Sequence, residues 1–207
     1  MDNIIFDCDG VLLNWELGFI EFLEHHQLFD RDKYDPFAYN VHDRHAYLGT
    51  KKVVEHYILI FNNSSSIGHL RVAGKRNCTY SNKEVLHRLL DRGWAVTVIT
   101  SAGLNDHSLQ LRSENLEAAY HIVFPIESYP LGALKGEIYK GPPPSIVIDD
   151  SIEQLYSWRD KYKNDIEYYF LMKTAANSNE IEKQMTELID NNIIVINHLS
   201  DIIIDYL

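Results

Sequence analysis

The sequence has very little cysteine, no long apolar run and fewer basic residues than acidic ones. Only 2 of its 207 residues are cysteine, and Cys8 and Cys78 form no metal-ligand or redox motif, so we expect no structural disulfide. No apolar stretch approaches the roughly 20 residues that cross a bilayer. No basic-then-apolar secretion signal is visible at the N-terminus. We therefore expect a cytoplasmic protein without a membrane partner.

The charge balance argues against a nucleic-acid partner. The chain has 30 acidic and 19 basic side chains, which gives a formal net charge of -11 at pH 7. Binding along a phosphate backbone depends on an excess of positive charge, although a local basic pocket remains compatible with this balance. With 45% hydrophobic residues, the chain can form one folded core with a smaller inserted lobe.

Short apolar runs alternate with segments of helical periodicity along most of the chain. The predicted strands cover 3–7, 94–99, 121–126, 145–148, 168–172 and 193–196, and the predicted helices cover 82–92, 106–120, 131–136, 151–162, 179–190 and 199–207. The strands are apolar throughout rather than on one face, which is typical of a parallel sheet covered by helices on both sides. We therefore predict an α/β fold with a Rossmann-like, three-layer parallel sheet.

A segment near the N-terminus interrupts this alternation. Trp15, Phe19, Phe22 and Leu23 have helical spacing, and the following residues are rich in Tyr, His, Asn and Asp without strand alternation. We predict that residues 13–80 form a small, mostly helical insertion. The α/β core would then consist of residues 1–12 and 81–207.

Polar side chains follow several of the predicted strands. They are Asp7, Asp9, Thr100, Ser101, Asp149 and Asp150, and Lys135 stands at the start of a short helix. Right-handed crossovers bring the carboxyl ends of parallel strands to one edge of a sheet, where ligands bind. We expect these side chains to meet at that edge.

Four carboxylates that meet without a cation would repel one another, and a divalent metal would remove this conflict. Magnesium prefers oxygen ligands, and Asp7 and Asp150 are natural candidates. Thr100 offers a hydroxyl donor and Lys135 a point charge, both suited to phosphoryl oxygens. A carboxylate such as Asp7 can attack phosphorus. Asp9 could protonate the leaving oxygen and later deprotonate water.

These residues resemble the four ordered motifs of the haloacid dehalogenase superfamily over nearly the whole chain. The motifs are Asp7-Cys8-Asp9-Gly10-Val11, Thr100, Lys135 and Asp149-Asp150. The resemblance implies a magnesium-dependent phosphatase with a helical cap at residues 13–80.

The resemblance also implies a role for each motif residue. Asp7 would be the nucleophile and Asp9 the general acid/base, whose backbone carbonyl also touches magnesium. Thr100, Ser101 and Lys135 would bind the phosphoryl group, with Lys140 as the alternative lysine. Asp150 would bind the metal together with Asp7, and Asp149 would assist directly or through water.

A second resemblance concerns the substrate. The stretches 100–103, 112–116 and 131–135 are similar to those of 5'(3')-deoxyribonucleotidases and related small phosphatases, which implies a nucleoside monophosphate as substrate. Five aromatic residues include rings that could stack on a base, although most are interpreted as packing residues: Trp15, Phe19, Phe37, Tyr39 and Tyr47. Arg112 and Asn115 are either a substrate contact or part of an exposed helix face.

Other functions fit parts of the pattern. A sugar-phosphate phosphatase and a non-catalytic protein that binds metal and phosphate with the same fold are the main alternatives. A carbon-halogen hydrolase is disfavoured because such relatives lack the second aspartate, which is Asp9 here. The acidic charge disfavours a phosphatase of nucleic-acid ends. The sequence makes no prediction of the oligomeric state.

Overall fold

A computed structural model describes residues 2–38, 40–73, 80–101, 105–172 and 185–202. Six strands form one sheet in the order β3-β2-β1-β4-β5-β6, and every neighbouring pair is parallel. The strands are β1 (Asn3–Asp7), β2 (Ala95–Thr100), β3 (Ile126–Ser128), β4 (Ile146–Asp149), β5 (Glu167–Leu171) and β6 (Ile193–Ile196). The predicted α/β fold is confirmed.

Seven α-helices are assigned along the described chain. They are α1 (Trp15–His25), α2 (Val41–Arg44), α3 (Lys51–Asn62), α4 (Asn82–Asp91), α5 (Asp106–Tyr120), α6 (Lys135–Ile138) and α7 (Ile152–Tyr162). Residues 185–190 and 200–202 are also helical. None of the helices in these described ranges is long and apolar enough to cross a membrane.

The segment between β1 and α4 is mostly helical, as predicted. It contains α1, α2, α3 and two 3₁₀ helices, Ala46–Leu48 and Ser65–His69. An isolated antiparallel bridge joins Leu13 to Val72, so the two ends of this segment lie side by side. We call it the insertion; its exact limits at residues 13 and 80 stay a prediction.

Two predicted elements differ from the structure, and two others lie partly outside the described residues. The apolar run 121–126 contributes only its last residue to β3, because α5 ends at Tyr120 and the following His121 adopts a left-handed conformation with φ of 58°. The short helix predicted at 131–136 begins instead at Lys135, after a turn in which Gly132 has φ of 78°. The helices predicted at 179–190 and 199–207 lie partly outside the described residues, as does Cys78.

The two faces of the sheet are covered by different parts of the chain. Ile4 and Phe6 belong to an apolar cluster that continues through α4 and α5 into the insertion. Ile5 faces the other way, into a cluster with Val147 and with Trp158 of α7. Burying each large apolar side chain contributes roughly 1.5–3 kcal/mol. The central strand β1 is therefore fixed from both sides, and it ends at Asp7.

Two reciprocal hydrogen bonds define the start of α4. The Ser81 hydroxyl accepts a hydrogen bond from the Glu84 backbone N–H, and the Glu84 carboxylate accepts one from the Ser81 backbone N–H at 2.7 Å. This reciprocal pair satisfies two N–H groups that the helix itself leaves unbonded. The chain therefore returns from the insertion to the core at a defined point.

Candidate active site

The strands β1, β2 and β4 are neighbours in the sheet and deliver polar side chains to the same edge. Asp7, Thr100 and Asp149 are the last residues of these three strands. A cleft of about 1020 Å³ lies between this edge and the insertion. Its lining from the core includes Asp7, Asp9, Ser101, Lys135, Asp149 and Asp150. The expected convergence of these residues is therefore present.

A tight turn keeps both aspartates of the first motif at the edge of the sheet. Gly10 has φ of 97°, in the region that favours glycine. The backbone N–H groups of Leu12 and Leu13 both donate to the carbonyl of Cys8, at 3.0 and 2.9 Å. Cys8 itself is fully buried with a free thiol. The chain therefore turns away directly after Asp9.

Lys135 joins two buried carboxylates. Its Nζ donates to Asp7 Oδ1 at 2.6 Å and to Asp149 Oδ2 at 2.7 Å. The three side chains are only 2–7% exposed. Burying an ionised group is costly unless it is paired, so one lysine shared by two carboxylates lowers the cost for all three groups.

Close packing of α6 on α7 positions this lysine. A Cβ atom on Gly136 would lie 2.4 Å from the backbone of Ser157, so only glycine permits the observed approach. The Gly136 N–H donates to Ser157 Oγ at 3.1 Å, and the Lys135 N–H donates to Gln154 Oε1 at 2.8 Å. No pattern in the sequence indicated the part played by Gln154. Lys140, the alternative lysine, is exposed beyond α6 and does not line the cleft.

The environment shifts the pKa values of the paired groups. Burial raises the pKa of Asp7 to about 7, assisted by the charges of Asp149 and Asp9, although Lys135 acts in the opposite direction. Burial acts against the charged form of Lys135, but the adjacent Asp149 and Asp7 outweigh it and raise the pKa of the lysine. The surroundings of the lysine therefore favour its charged form, and the cluster has three carboxyl groups beside this one cation.

Three carboxylates of this cluster are arranged as a metal site would be. One oxygen from each of Asp7, Asp149 and Asp150 lies within 4.8 Å of the others, and this is the one such group among the described residues. The donors are all oxygen, which magnesium prefers, and no cysteine or histidine of the kind that binds zinc is included. The residues present therefore fit the magnesium ion that the sequence predicted.

Asp9 is held by an arginine whose role the sequence left open. Arg112 Nη2 lies 2.8 Å from Asp9 Oδ2, and its Nε lies 3.2 Å from the same oxygen. Arg112 is 0% exposed. Asn115 is buried as well and donates to the Leu70 carbonyl at 3.0 Å. The interpretation of these two residues as an exposed helix face is wrong, because the insertion covers this side of α5.

The two hydroxyl residues after β2 have different surroundings. Thr100 Oγ1 is buried and donates to Asp9 Oδ2 at 3.3 Å. The Ser101 hydroxyl is also buried and lines the cleft, and it has no hydrogen-bond partner in the described part of the chain. A buried hydroxyl without a partner is costly unless a ligand supplies one. Ser101 is therefore the hydroxyl that is available to a phosphoryl oxygen.

No protein-family model and no curated protein matches this sequence. Solved structures do match the fold. A protein from Burkholderia xenovorans, assigned as a haloacid dehalogenase-like hydrolase, has a TM-score of 0.53 and 12% identity over 96% of this chain and 95% of its own. A protein from Bacteroides vulgatus, assigned as a β-phosphoglucomutase, has a TM-score of 0.52 and 14% identity over 98% of this chain and 86% of its own.

A third structure is a variant of CbbY from Rhodobacter sphaeroides in complex with xylulose-1,5-bisphosphate. Its TM-score is 0.50 with 14% identity, over 86% of this chain and 89% of its own. The chain has the haloacid dehalogenase fold. This agrees with the order of the four motifs in the sequence. The resemblance to 5'(3')-deoxyribonucleotidases has no counterpart among these three structures and stays a prediction.

Proposed function

We propose that this protein is a magnesium-dependent phosphomonoesterase that acts on a small phosphorylated metabolite through an aspartyl-phosphate on Asp7. The observation that carries the proposal is the buried cluster in which Lys135 bridges Asp7 and Asp149 and Asp150 completes a set of oxygen donors. A structural role would need only paired charges. This cluster instead lines a large cleft and has carboxylates in excess of its lysine.

The metal would be held by Asp7, Asp149 and Asp150, and the motif resemblance adds the backbone carbonyl of Asp9. A bound magnesium ion offsets the negative charge of the phosphoryl oxygens and of the surrounding carboxylates. Lys135 and Ser101 would hold phosphoryl oxygens by donating hydrogen bonds. The motif resemblance gives Thr100 to the phosphoryl group as well, but its hydroxyl donates to Asp9, and we assign it to that partner.

The first chemical step uses Asp7 and Asp9 in different ways. An oxygen of Asp7 forms a bond to phosphorus while the bond from phosphorus to the ester oxygen breaks. Asp9 gives its proton to that oxygen, which departs as an alcohol. The phosphoryl group is then attached to Asp7.

The second step returns the enzyme to its starting state. Asp9, now a carboxylate, removes a proton from a water molecule as the water oxygen attacks phosphorus. The bond between phosphorus and Asp7 breaks and inorganic phosphate leaves. Asp7 regains its carboxylate and Asp9 its proton, so neither residue is consumed.

The cleft favours a sugar phosphate over a nucleoside monophosphate. Of the five aromatic candidates, Trp15 lines the cleft, and its ring stacks on Phe19 while its Nε1 donates to Asn62. Phe19 is fully buried, and Phe37 is 59% exposed but outside the cleft. The hydroxyl of Tyr47, which also does not line the cleft, is hydrogen-bonded to His45. Tyr39 lies outside the described residues.

The opposite wall of the cleft comes from the insertion and is mixed in character. Its polar residues include Asn40, His42, Lys51, Lys52 and His56, beside the carboxylates Asp43 and Glu55 and the apolar Val41, Ile58 and Leu59. Hydrogen-bond donors of this kind suit the hydroxyl groups and any further anionic group of a sugar phosphate, whereas a base needs a flat apolar surface. The CbbY structure holds a phosphorylated sugar, which is consistent with this preference.

A substrate panel tests the proposal. Phosphate release would be measured from sugar phosphates and nucleoside monophosphates, with magnesium or with a chelator. We expect release that needs magnesium, is fastest with sugar phosphates and is lost in Asp7→Asn. Asp91→Asn, at an exposed position on α4, is the matched control and should retain activity.

Undiminished turnover in Asp7→Asn would contradict the role of Asp7 as the nucleophile. Binding of magnesium and a phosphate analogue without turnover of any panel member would favour the non-catalytic alternative instead.

A further inference from the structure

Arg112 is a fully buried cation for which the proposed chemistry has no use. It lies in the middle of α5 with its side chain 0% exposed. Asp9 is the one carboxylate with which it forms an ion pair among the described residues. Burying a guanidinium costs several kcal/mol before its partners offset that cost. Such a residue in contact with the general acid/base needs an explanation.

The contact fixes the orientation of Asp9. Arg112 Nη2 and Nε both approach Oδ2, and Thr100 donates to the same oxygen. Among the described residues, Oδ1 has one contact, from Arg112 Nε at 3.3 Å. A planar guanidinium holds a carboxylate in a defined plane, which a lysine does not do. Oδ1 is therefore the oxygen left to carry a proton to the cleft that Asp9 lines.

The same guanidinium also contacts the insertion. Arg112 Nη2 lies 3.4 Å from Oδ1 of Asn62, the last residue of α3. That amide oxygen accepts a second hydrogen bond, from Trp15 Nε1 of α1 at 2.9 Å. The Asn62 carbonyl accepts one from Ser108 of α5 at 2.6 Å. Asn62 therefore connects two helices of the insertion to the residue that holds Asp9.

We propose that Arg112 is a positioning residue for Asp9, and that Asn62 couples this position to the placement of the insertion over the cleft. Arg112 holds the Asp9 carboxylate where it reaches the ester oxygen, and it does not itself touch substrate. A displacement of about 1 Å in such a group costs on the order of 100-fold in rate. This inference rests on the phosphomonoesterase function proposed above.

Leaving groups of different basicity test this role. An alkoxide needs a proton in order to leave, whereas p-nitrophenolate does not. We expect Arg112→Met to lower kcat by roughly 10²–10³-fold on alkyl phosphates. The loss on p-nitrophenyl phosphate should be at least about tenfold smaller, because general acid catalysis contributes little there. KM should change little for either class of ester.

Two further variants keep the experiment informative if Arg112→Met folds poorly. Arg112→Lys retains a buried cation but lacks the planar fork, so we expect the same leaving-group dependence at a smaller size. Asn62→Ala removes the link to the insertion. It should lower the ratio of kcat on alkyl phosphates to kcat on p-nitrophenyl phosphate, as the arginine variants do. Leu116→Ala, one turn further along α5 and also buried, is the control: it disturbs the packing of the same helix without removing a hydrogen bond, and it should leave the ratio of the two kcat values unchanged.

The outcomes separate the two proposals. A greater loss on alkyl phosphates in both arginine variants supports the inference. If the wild type is active and the two arginine variants lose kcat equally on both ester classes, or do not lose it at all, the inference is overturned while the phosphomonoesterase function stands. A wild-type protein that hydrolyses neither class overturns both.

Discussion

Asp7 and Asp9 lie two residues apart, and different cations hold them. Asp7 shares Lys135 with Asp149, whereas Asp9 has the guanidinium of Arg112. An ammonium group is a point charge that serves several oxygens at once, while a guanidinium fixes the plane of one carboxylate. The comparison indicates that the site distinguishes attack from proton transfer by the kind of cation as well as by position.

The residues that position the two cations also belong to different parts of the molecule. Lys135 is held by the core alone, through Gln154 and the packing of Gly136 against Ser157. Arg112 connects the core to the insertion through Asn62. Changes in α6 or α7 should therefore affect Asp7, and changes at Asn62 of the insertion should affect Asp9.

Replacing Lys135 should have the largest effect. Lys135→Ala leaves Asp7 and Asp149 buried side by side without their cation, and removing one partner of a buried pair costs about 3–5 kcal/mol. We expect this loss in the free energy of unfolding measured with urea, together with loss of phosphatase activity. Added magnesium should stabilise the variant more than the wild type, because the metal replaces the missing positive charge.

The exposed Lys140 provides the control for this experiment. Lys140→Ala should change the free energy of unfolding by less than about 0.5 kcal/mol. Equal stabilities of Lys135→Ala and Lys140→Ala would show that the buried lysine does not hold the carboxylates together.

Replacing Thr100 or Ser101 should lower kcat by less than replacing Lys135. The two variants should differ in their leaving-group dependence, because only Thr100 donates to Asp9. Thr100→Val removes a hydrogen bond to Asp9 at nearly constant volume, so its loss should be greater on alkyl than on aryl phosphates. Ser101→Ala removes a donor that we assign to the phosphoryl group, so its loss should be the same for both. A hydrogen bond to a charged group is worth about 1.5–3 kcal/mol, which is roughly tenfold or more in rate.

Steady-state kinetics on the same ester series measures this difference. Identical leaving-group profiles for Thr100→Val and Ser101→Ala would contradict the assignment of the two hydroxyls to different partners.

Glu16 of the insertion is a partly buried carboxylate with no part in the chemistry. It contacts Arg44 at 3.1 Å and His45 at 3.0 Å, and Tyr34 donates to it. Burial acts to raise the pKa of Glu16, but the bond from His45 and the charge of Arg44 outweigh it and lower the pKa below the ordinary 4.5. Glu16 therefore stabilises the fold above pH 4.5, and this contribution is lost as the pH falls through the lower value in the folded state.

Glu16→Gln should accordingly weaken the dependence of unfolding free energy on pH below 4.5. Glu16→Gln should leave the dependence of kcat on the leaving group unchanged, so its effect on activity should be the smallest among these variants. Urea unfolding at pH values on either side of 4.5 measures it. A variant with the wild-type pH dependence would show that the Glu16 network does not stabilise the insertion.

The sequence predicted the elements that local signals define. The bounds of α5 and the polar residues after β1, β2 and β4 were predicted correctly, and the rule for parallel strands placed the strand ends together. The role of Arg112 could not be predicted, because a charged residue among polar neighbours in a helix indicates a solvent face. Its burial depends on how the insertion packs over α5, which is a tertiary effect.

The aromatic residues of the insertion illustrate the same limit. Helical spacing placed Trp15 and Phe19 on one face of α1, and the structure has them stacked. The spacing could not tell that Phe19 is buried in the core and that Trp15 lines the cleft. Whether a ring packs or contacts a ligand depends on segments distant in sequence.

Trapping the phosphoryl group on the protein tests most directly whether Asp7 attacks and Asp9 transfers protons. Asp9→Asn keeps an oxygen that accepts from Arg112, but it cannot activate water for the second step. With p-nitrophenyl phosphate the first step needs no proton, so the intermediate should accumulate. We predict that acid-quenched Asp9→Asn protein gains one phosphoryl group, located on Asp7 by mass spectrometry, and that Asp7→Asn gains none. Turnover by Asp9→Asn at the wild-type rate without a phosphoryl group on Asp7, or attachment to another residue, would contradict the account.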